Sequence, residues 1–169
     1  EQWQAEYQAY LLEMETVEIG ENCFISPLAH IFAERGRKIS IGDNTFIAAD
    51  CTLHGPLQIG NEVAINHHCI LDGGRAGIKL HDQVRIAAYS HLYAFDHGMD
   101  LERPIYQQAV TSKGIEIGQD VWLGAHVGIK DGVKIGDHAV IGMNSMVTKD
   151  IEKHAIVAGN PARLIRYRK

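Results

Sequence analysis

Cysteine is scarce in this chain of 169 residues: Cys23, Cys51 and Cys69 stand far apart, with no Cys-x-x-Cys pair. That spacing excludes the common zinc and dithiol motifs and leaves no disulfide framework to read. Three unpaired thiols fit a reducing cytoplasm. Long apolar runs are missing too: none approaches the eighteen or so residues of a membrane span, and no signal-peptide pattern opens the chain. The formal charge is −5 and there is no basic cluster, which argues against a nucleic-acid partner. The chain begins at Glu1 rather than methionine, which reads as a trimmed or partial chain. At 46% apolar it is one globular domain, able to bury a core without staples.

What is abundant is a repeat of six. One run is Ile41, Ile47, Leu53, Ile59, Ile65, Leu71; a second is Ile117, Leu123, Ile129, Ile135, Ile141, Val147. Glycine often follows directly, as at Gly20, Gly42, Gly60, Gly118, Gly124, Gly136 and Gly142. Four positions after the aliphatic residue sits a small or β-branched one, such as Cys51, Val63, Val121 or Ala139. Neither a helix nor a long strand has this period. One short strand plus one corner does, and repeating it winds a mainly β chain into a parallel β-helix.

The aliphatic residue and the one two before it point inward, by strand alternation. The three cysteines fall at the small inward position and read as buried packing residues. Glycine or a short polar residue is expected to tolerate the corner backbone. Three sides make an eighteen-residue coil, so residues 17–92 and 115–158 supply about six or seven coils, a prism on the order of 30 Å long. The repeat breaks three times: around Arg35-Gly36-Arg37-Lys38, near Gly73-Gly74-Arg75-Ala76-Gly77, and over 94–114, which leaves the prism as one long external loop. Long loops on a rigid scaffold are where function concentrates. Within an N-terminal cap of residues 1–16, Trp3, Tyr7, Tyr10, Leu11 and Met14 fall at helical spacing, predicting an amphipathic helix over 2–15 that lids the first coil. Residues 159–169 form a C-terminal tail bearing Arg163, Arg166, Arg168 and Lys169.

The stretch Asp96-His97-Gly98, then Ile117-Gly118-Gln119-Asp120-Val121-Trp122-Leu123-Gly124-Ala125, Gly132-Val133-Lys134-Ile135-Gly136, Val147-Thr148-Lys149-Asp150 and Ala158-Gly159-Asn160-Pro161-Ala162 resembles the hexapeptide-repeat acyltransferases. These include galactoside, maltose and polysaccharide O-acetyltransferases. The resemblance implies a left-handed coil, against the general right-handed rule for parallel crossovers. It further implies a homotrimer with three active sites between subunits, each binding acyl-coenzyme A, usually acetyl-CoA, with no metal required.

Acyl transfer to an alcohol needs a base for the hydroxyl proton and donors for the oxyanion. Among ten histidines, His97 matches the family's catalytic residue in loop and spacing, as the base for direct attack without an acyl-enzyme. His91 is the rival, read as lining the last regular coil. Asp96, Asp100 and Glu102, or a backbone carbonyl, are candidates to orient the imidazole. His30, His54, His81, His126, His138 and His154 read as surface or corner residues. By match to the family, the turn Gly124-Ala125 supplies oxyanion donors. Ala125, Met143, Thr148 and Lys149 line the coenzyme groove, with Arg163 and Arg166 near the nucleotide; a solvated basic end is the plainer reading of Lys149 and the arginines. Met143 departs from the usual small residue, a change that a backbone contact survives. Trp122 reads as lining the pantetheine channel or filling an interface. Asn66 matches an acceptor contact, and Asp72 in the bulge is placed to bond a sugar.

The expected activity is an acetyl-CoA-dependent O-acetyltransferase acting on a sugar or polysaccharide precursor. Alternatives are N-acylation of an amino sugar and a non-catalytic scaffold subunit. A γ-type carbonic anhydrase would need zinc on three histidines, and His67, His68 and His91 do not match that arrangement. The acceptor itself is not legible from one chain.

Overall fold

The computed structural model describes residues 2–13 and 16–169. Parallel strands of two or three residues, one ending strand of four excepted, wind around three walls. The first wall stacks strands from Val17–Ile19 to Lys134–Ile135, with Ile151 bridging to Ile135 below. The second runs from Phe24–Ile25 to Ala155–Ala158, and the third from His30–Phe32 to Met146–Val147. Registers are direct: Ile41 lies between Ile19 and Ile59, and Leu123 between Ile86 and Ile141. The hexad therefore becomes continuous aliphatic columns. Ile25, Ile47, Ile65, Ile86, Leu123 and Ile141 form the column of the second wall and are fully buried. Each such burial contributes roughly 1.5–3 kcal/mol.

The corners differ from the expectation in an instructive way. Twelve non-glycine residues have φ between 51° and 64°, and every one is the third residue after a wall's aliphatic: Asn44 after Ile41, His68 after Ile65, Asp120 after Ile117. Nine of the twelve are Asn, Asp or His, the side chains that best tolerate this left-handed region. Four histidines (His68, His126, His138 and His154) are accounted for in this way. The glycine directly after the aliphatic has an ordinary φ and serves another purpose. A Cβ on Gly118 would stand 2.7 Å from the Asp137 nitrogen, and one on Gly42 would stand 2.7 Å from the Gly60 oxygen. Glycine is there because the next coil is too close, not because the backbone is strained.

The third corner, between the third and first walls, collects all three interruptions of the repeat. There the positive φ does fall to glycine, at Gly36, Gly74, Gly77, Gly114 and Gly132.

Both ends are closed. The N-terminal helix spans Gln2–Leu12 and covers the first coil, but its buried face is not the aromatic stripe. Gln4 and Leu11 are buried, whereas Trp3 and Tyr10 are exposed; Met14 lies outside the described residues. The reason is the open strand edge, whose N–H and C=O groups need partners. Gln4 donates to Ile25 O at 2.6 Å and accepts from Ile25 N at 2.9 Å, while Gln8 donates to Cys23 O at 2.7 Å. Two side-chain amides thus stand in for a missing strand. At the far end, Arg163–Tyr167 of the expected tail form a strand that turns back antiparallel along Ala155–Ala158. Cys51 and Cys69 are fully buried and Cys23 partly so. A hydrogen bond between the Cys51 and Cys69 thiols, aided by burial, pushes the Cys69 thiol up, which suits packing and not reactivity.

Candidate active site

The excursion over 94–114 is firmly built. The chain leaves the third wall at Ala94, and Asp96–His97 pairs antiparallel with Val110–Thr111, His97 facing Val110. A single 3-10 turn, Ile105–Gln107, lies between them. Gln108 holds the tip, accepting from Asp100 N at 2.9 Å and donating to Asp100 O and Arg103 O at 2.8 and 2.7 Å. At the base, Ser112 Oγ accepts from Arg75 N and Ala76 N at 3.0 and 2.9 Å and donates to Ala94 O, which locks the loop to the glycine-rich bulge. Buried Asp131 accepts from Lys113 N and Gly114 N at 2.9 Å.

His97 is exposed on this hairpin, edge-on to Phe95 at 6.3 Å, which in turn packs edge-on to Tyr93 at 5.8 Å. None of the carboxylates proposed to orient it hydrogen-bonds the ring. Asp96 instead pairs with Lys130 at 3.2 Å, pinning the hairpin to the third wall. His91 is half-buried within that wall beside Gly128, where a Cβ would stand 2.7 Å from its Nε2. Gly128 therefore makes room for the imidazole.

The second corner holds what the sequence reading missed. At the first corner, four residues standing second after the aliphatic have their N–H capped by a side chain of the next coil. Glu21 N donates to Asp43, Asp43 N to Asn61, Asn61 N to Asp82 and Gln119 N to Asp137, all at 2.7–2.8 Å. The same position at the second corner is Ala49, His67, Ala88, Ala125 and Met143. No acceptor among the described residues meets those five N–H groups. They form a row of free donors, one per coil, spaced roughly 4.8 Å apart. The signal was present in the sequence: at the second position after the aliphatic, Asp or Asn recurs along the first wall and is absent along the second.

The proposed site residues fall into two groups. Asn66, Gly124, Ala125 and Met143 lie along the second corner. Only part of the Gly124-Ala125 turn is available, since Gly124 N already donates to Ile141 O at 2.8 Å; Ala125 N is free. Asn66 is exposed, its Nδ2 donating to Ile86 O at 3.2 Å. Thr148, Lys149 and Arg163 meet around a hollow of about 330 Å³ at the C-terminal end, and Arg166 sits further along the last strand. His97 and Asp72 belong instead to the third-corner side of the third wall. Both oxygens of Asp72 already have partners, His54 Nδ1 at 3.3 Å and Gly74 N at 3.0 Å. Trp122 is exposed on the second wall. One chain therefore presents His97 and its free N–H row on opposite edges of the third wall.

Residues 114–149 match the family model described as bacterial transferase hexapeptide (six repeats), and residues 38–66 the hexapeptide repeat of succinyl-transferase. Galactoside O-acetyltransferase of Escherichia coli is 33% identical over 150 residues, 88% of this chain and 62% of that enzyme. This chain thus spans about three fifths of that relative's length. A variant of AntD, an N-acyltransferase from Bacillus cereus solved with dTDP and coenzyme A, is 31% identical and superposes over 96% of this chain and 89% of its own, with a TM-score of 0.86. This chain belongs to the hexapeptide-repeat acetyltransferase family. Its prism is the family's left-handed β-helix. A galactoside acetyltransferase in complex with coenzyme A, 30% identical, covers 97% of this chain and 71% of its own at a TM-score of 0.69.

Proposed function

We propose that this chain transfers an acetyl group from acetyl-CoA to a hydroxyl of a sugar or polysaccharide precursor, with His97 as general base. The observation that carries this reading is the pair of free N–H groups on Ala125 and Met143. Two donors one coil apart suit an extended pantetheine arm, whose carbonyls need such partners. Ala125 N–H meets the thioester oxygen, where negative charge develops, and Met143 N–H takes a carbonyl further down the arm. The arm then runs toward Thr148 and Lys149, and Arg163 and Arg166 meet the phosphates.

In the reaction, His97 takes the proton from the acceptor hydroxyl as its oxygen attacks the thioester carbon. The tetrahedral oxyanion rests on Ala125 N–H, collapses, and breaks the carbon–sulfur bond; the departing thiolate takes the proton back from the imidazolium. For this, His97 must meet Ala125 across a gap that one prism does not close. A neighbouring copy closes it, so the active form is a homotrimer with a site in each cleft. Asn66 and the third-wall face near Asp72 bind the acceptor. Supporting the hydroxyl acceptor is the likeness to galactoside O-acetyltransferase; the likeness to AntD, an N-acyltransferase solved also with dTDP-4-amino-4,6-dideoxyglucose, favours a second reading, in which the acceptor is the amine of a nucleotide-linked sugar. Acetyl-CoA as donor is consistent with work in the cytoplasm.

A thiol-release assay with acetyl-CoA against hydroxy sugars, amino sugars and nucleotide-linked sugars tests this directly. Release is expected with at least one acceptor, and His97→Ala should lower kcat by roughly 10²-fold or more while coenzyme A affinity holds. No release with any acceptor would leave a non-catalytic scaffold. Unchanged turnover in the variant would remove His97 from the mechanism.

A further inference from the structure

The last strand, Arg163–Tyr167, has every side chain exposed and is held to the prism by backbone pairing with Ala155–Ala158, across a register shift at Ile156/Val157, and by one side-chain bond, Tyr167 Oη donating to Glu152 at 2.6 Å. A strand held only in this way would fray. Its end, however, is fastened. The Arg168 guanidinium donates to Asp120 Oδ2 at 3.0 Å and to His138 O at 3.0 Å, and Arg168 N donates to His154 O at 2.7 Å. Asp120 Oδ2 also meets His138 Nδ1 at 2.9 Å, and the His138 ring stacks on His154 at 5.1 Å. Asp120, His138 and His154 are the left-handed residues of three successive first corners, so one arginine is stapled across three coils. The His138 hydrogen bond, then Arg168, holds the Asp120 carboxyl below the usual carboxylate range, so it remains an anion under ordinary conditions.

We propose that Asp120 is a positioning residue for the donor: through Arg168 it fixes the strand that presents Arg163 and Arg166 to the phosphates of acyl-coenzyme A. This rests on the donor site proposed above. Asp120 itself lies at the first corner, away from the free N–H row and from His97, and touches neither substrate.

The test is steady-state kinetics with acetyl-CoA as the varied substrate. Asp120→Ala and Arg168→Ala should each raise the acetyl-CoA KM by about three- to tenfold, with kcat within about twofold, and the double variant should be no worse than either single one. Amide exchange at Leu164–Tyr167 should quicken in both, while the third-wall strands are unchanged. A structural role alone would not give this split, and the non-additivity shows that the two residues act as one pair. Arg163→Ala serves as the control for the donor site. If it raises KM and Asp120→Ala does not, the positioning role is overturned and the donor site stands. If Arg163→Ala and Arg166→Ala both leave KM unmoved, the donor site itself is wrong and the positioning role falls with it.

Discussion

The first and second corners of this prism make the same turn and do opposite things with it. Both place a left-handed residue third after the aliphatic, at Asp120 in one and His126 in the other. They differ one residue earlier. Asp43, Asn61, Asp82 and Asp137 at the first corner reach back to cap the coil above, whereas Ala49, His67, Ala88, Ala125 and Met143 at the second cannot. An Asp or Asn at that position caps the coil above and makes the corner structural, and a residue without such a short carboxylate or amide leaves a backbone donor to solvent or ligand. A solvated free N–H costs the fold little, and it becomes a recognition element once a ligand excludes water from it.

Converting one corner into the other breaks this comparison most sharply. Met143→Asp puts at the second corner what Asp137 is at the first, and its carboxylate should cap Ala125 N–H. Turnover is expected to fall roughly 10²- to 10³-fold, the range for losing one oxyanion donor, with the unfolding midpoint unmoved or raised. Full activity in that variant would show that Ala125 N–H is not used. Next in size, Gly118→Ala should destabilise by about 1–3 kcal/mol in denaturant melts, because its Cβ meets the Asp137 backbone of the next coil. A neutral result would mean that the coils can separate locally. Smallest is Asp137→Ala, which uncaps Gln119 N and should cost about 1 kcal/mol of stability with kcat and KM unchanged. A loss of activity there would make the first corner part of the site.

Much of the architecture is visible in the residue order because a coil this narrow has few solutions. On the second and third walls a small inward residue stands two before each large one, as Thr45 before Ile47 or Val127 before Ile129, whereas the first wall buries two large ones, as Ile39 with Ile41 and Ile115 with Ile117. The excursion carrying His97 is legible for the converse reason: the hexad stops at Leu92 and resumes at Ile117. The role of Gly118 was misassigned, since an unusual φ and a crowded neighbour both select glycine, and the order of residues does not tell them apart. The helix face was misassigned as well. Apolar spacing puts Trp3 and Tyr10 inward, but the open strand edge outranks it, and Gln4 and Gln8 turn to meet that edge.

The chain's order alone settled the period, the three walls, the buried columns and the one long departure from them, because each is a local consequence of six residues packing against their own images. Only the tertiary structure decided which backbone donors stay free, which glycines make room for the next coil, and how Arg168 is tied to Asp120 forty-eight residues earlier. Those outcomes depend on what the adjacent coil places opposite a residue, and the stack of coils creates that relation.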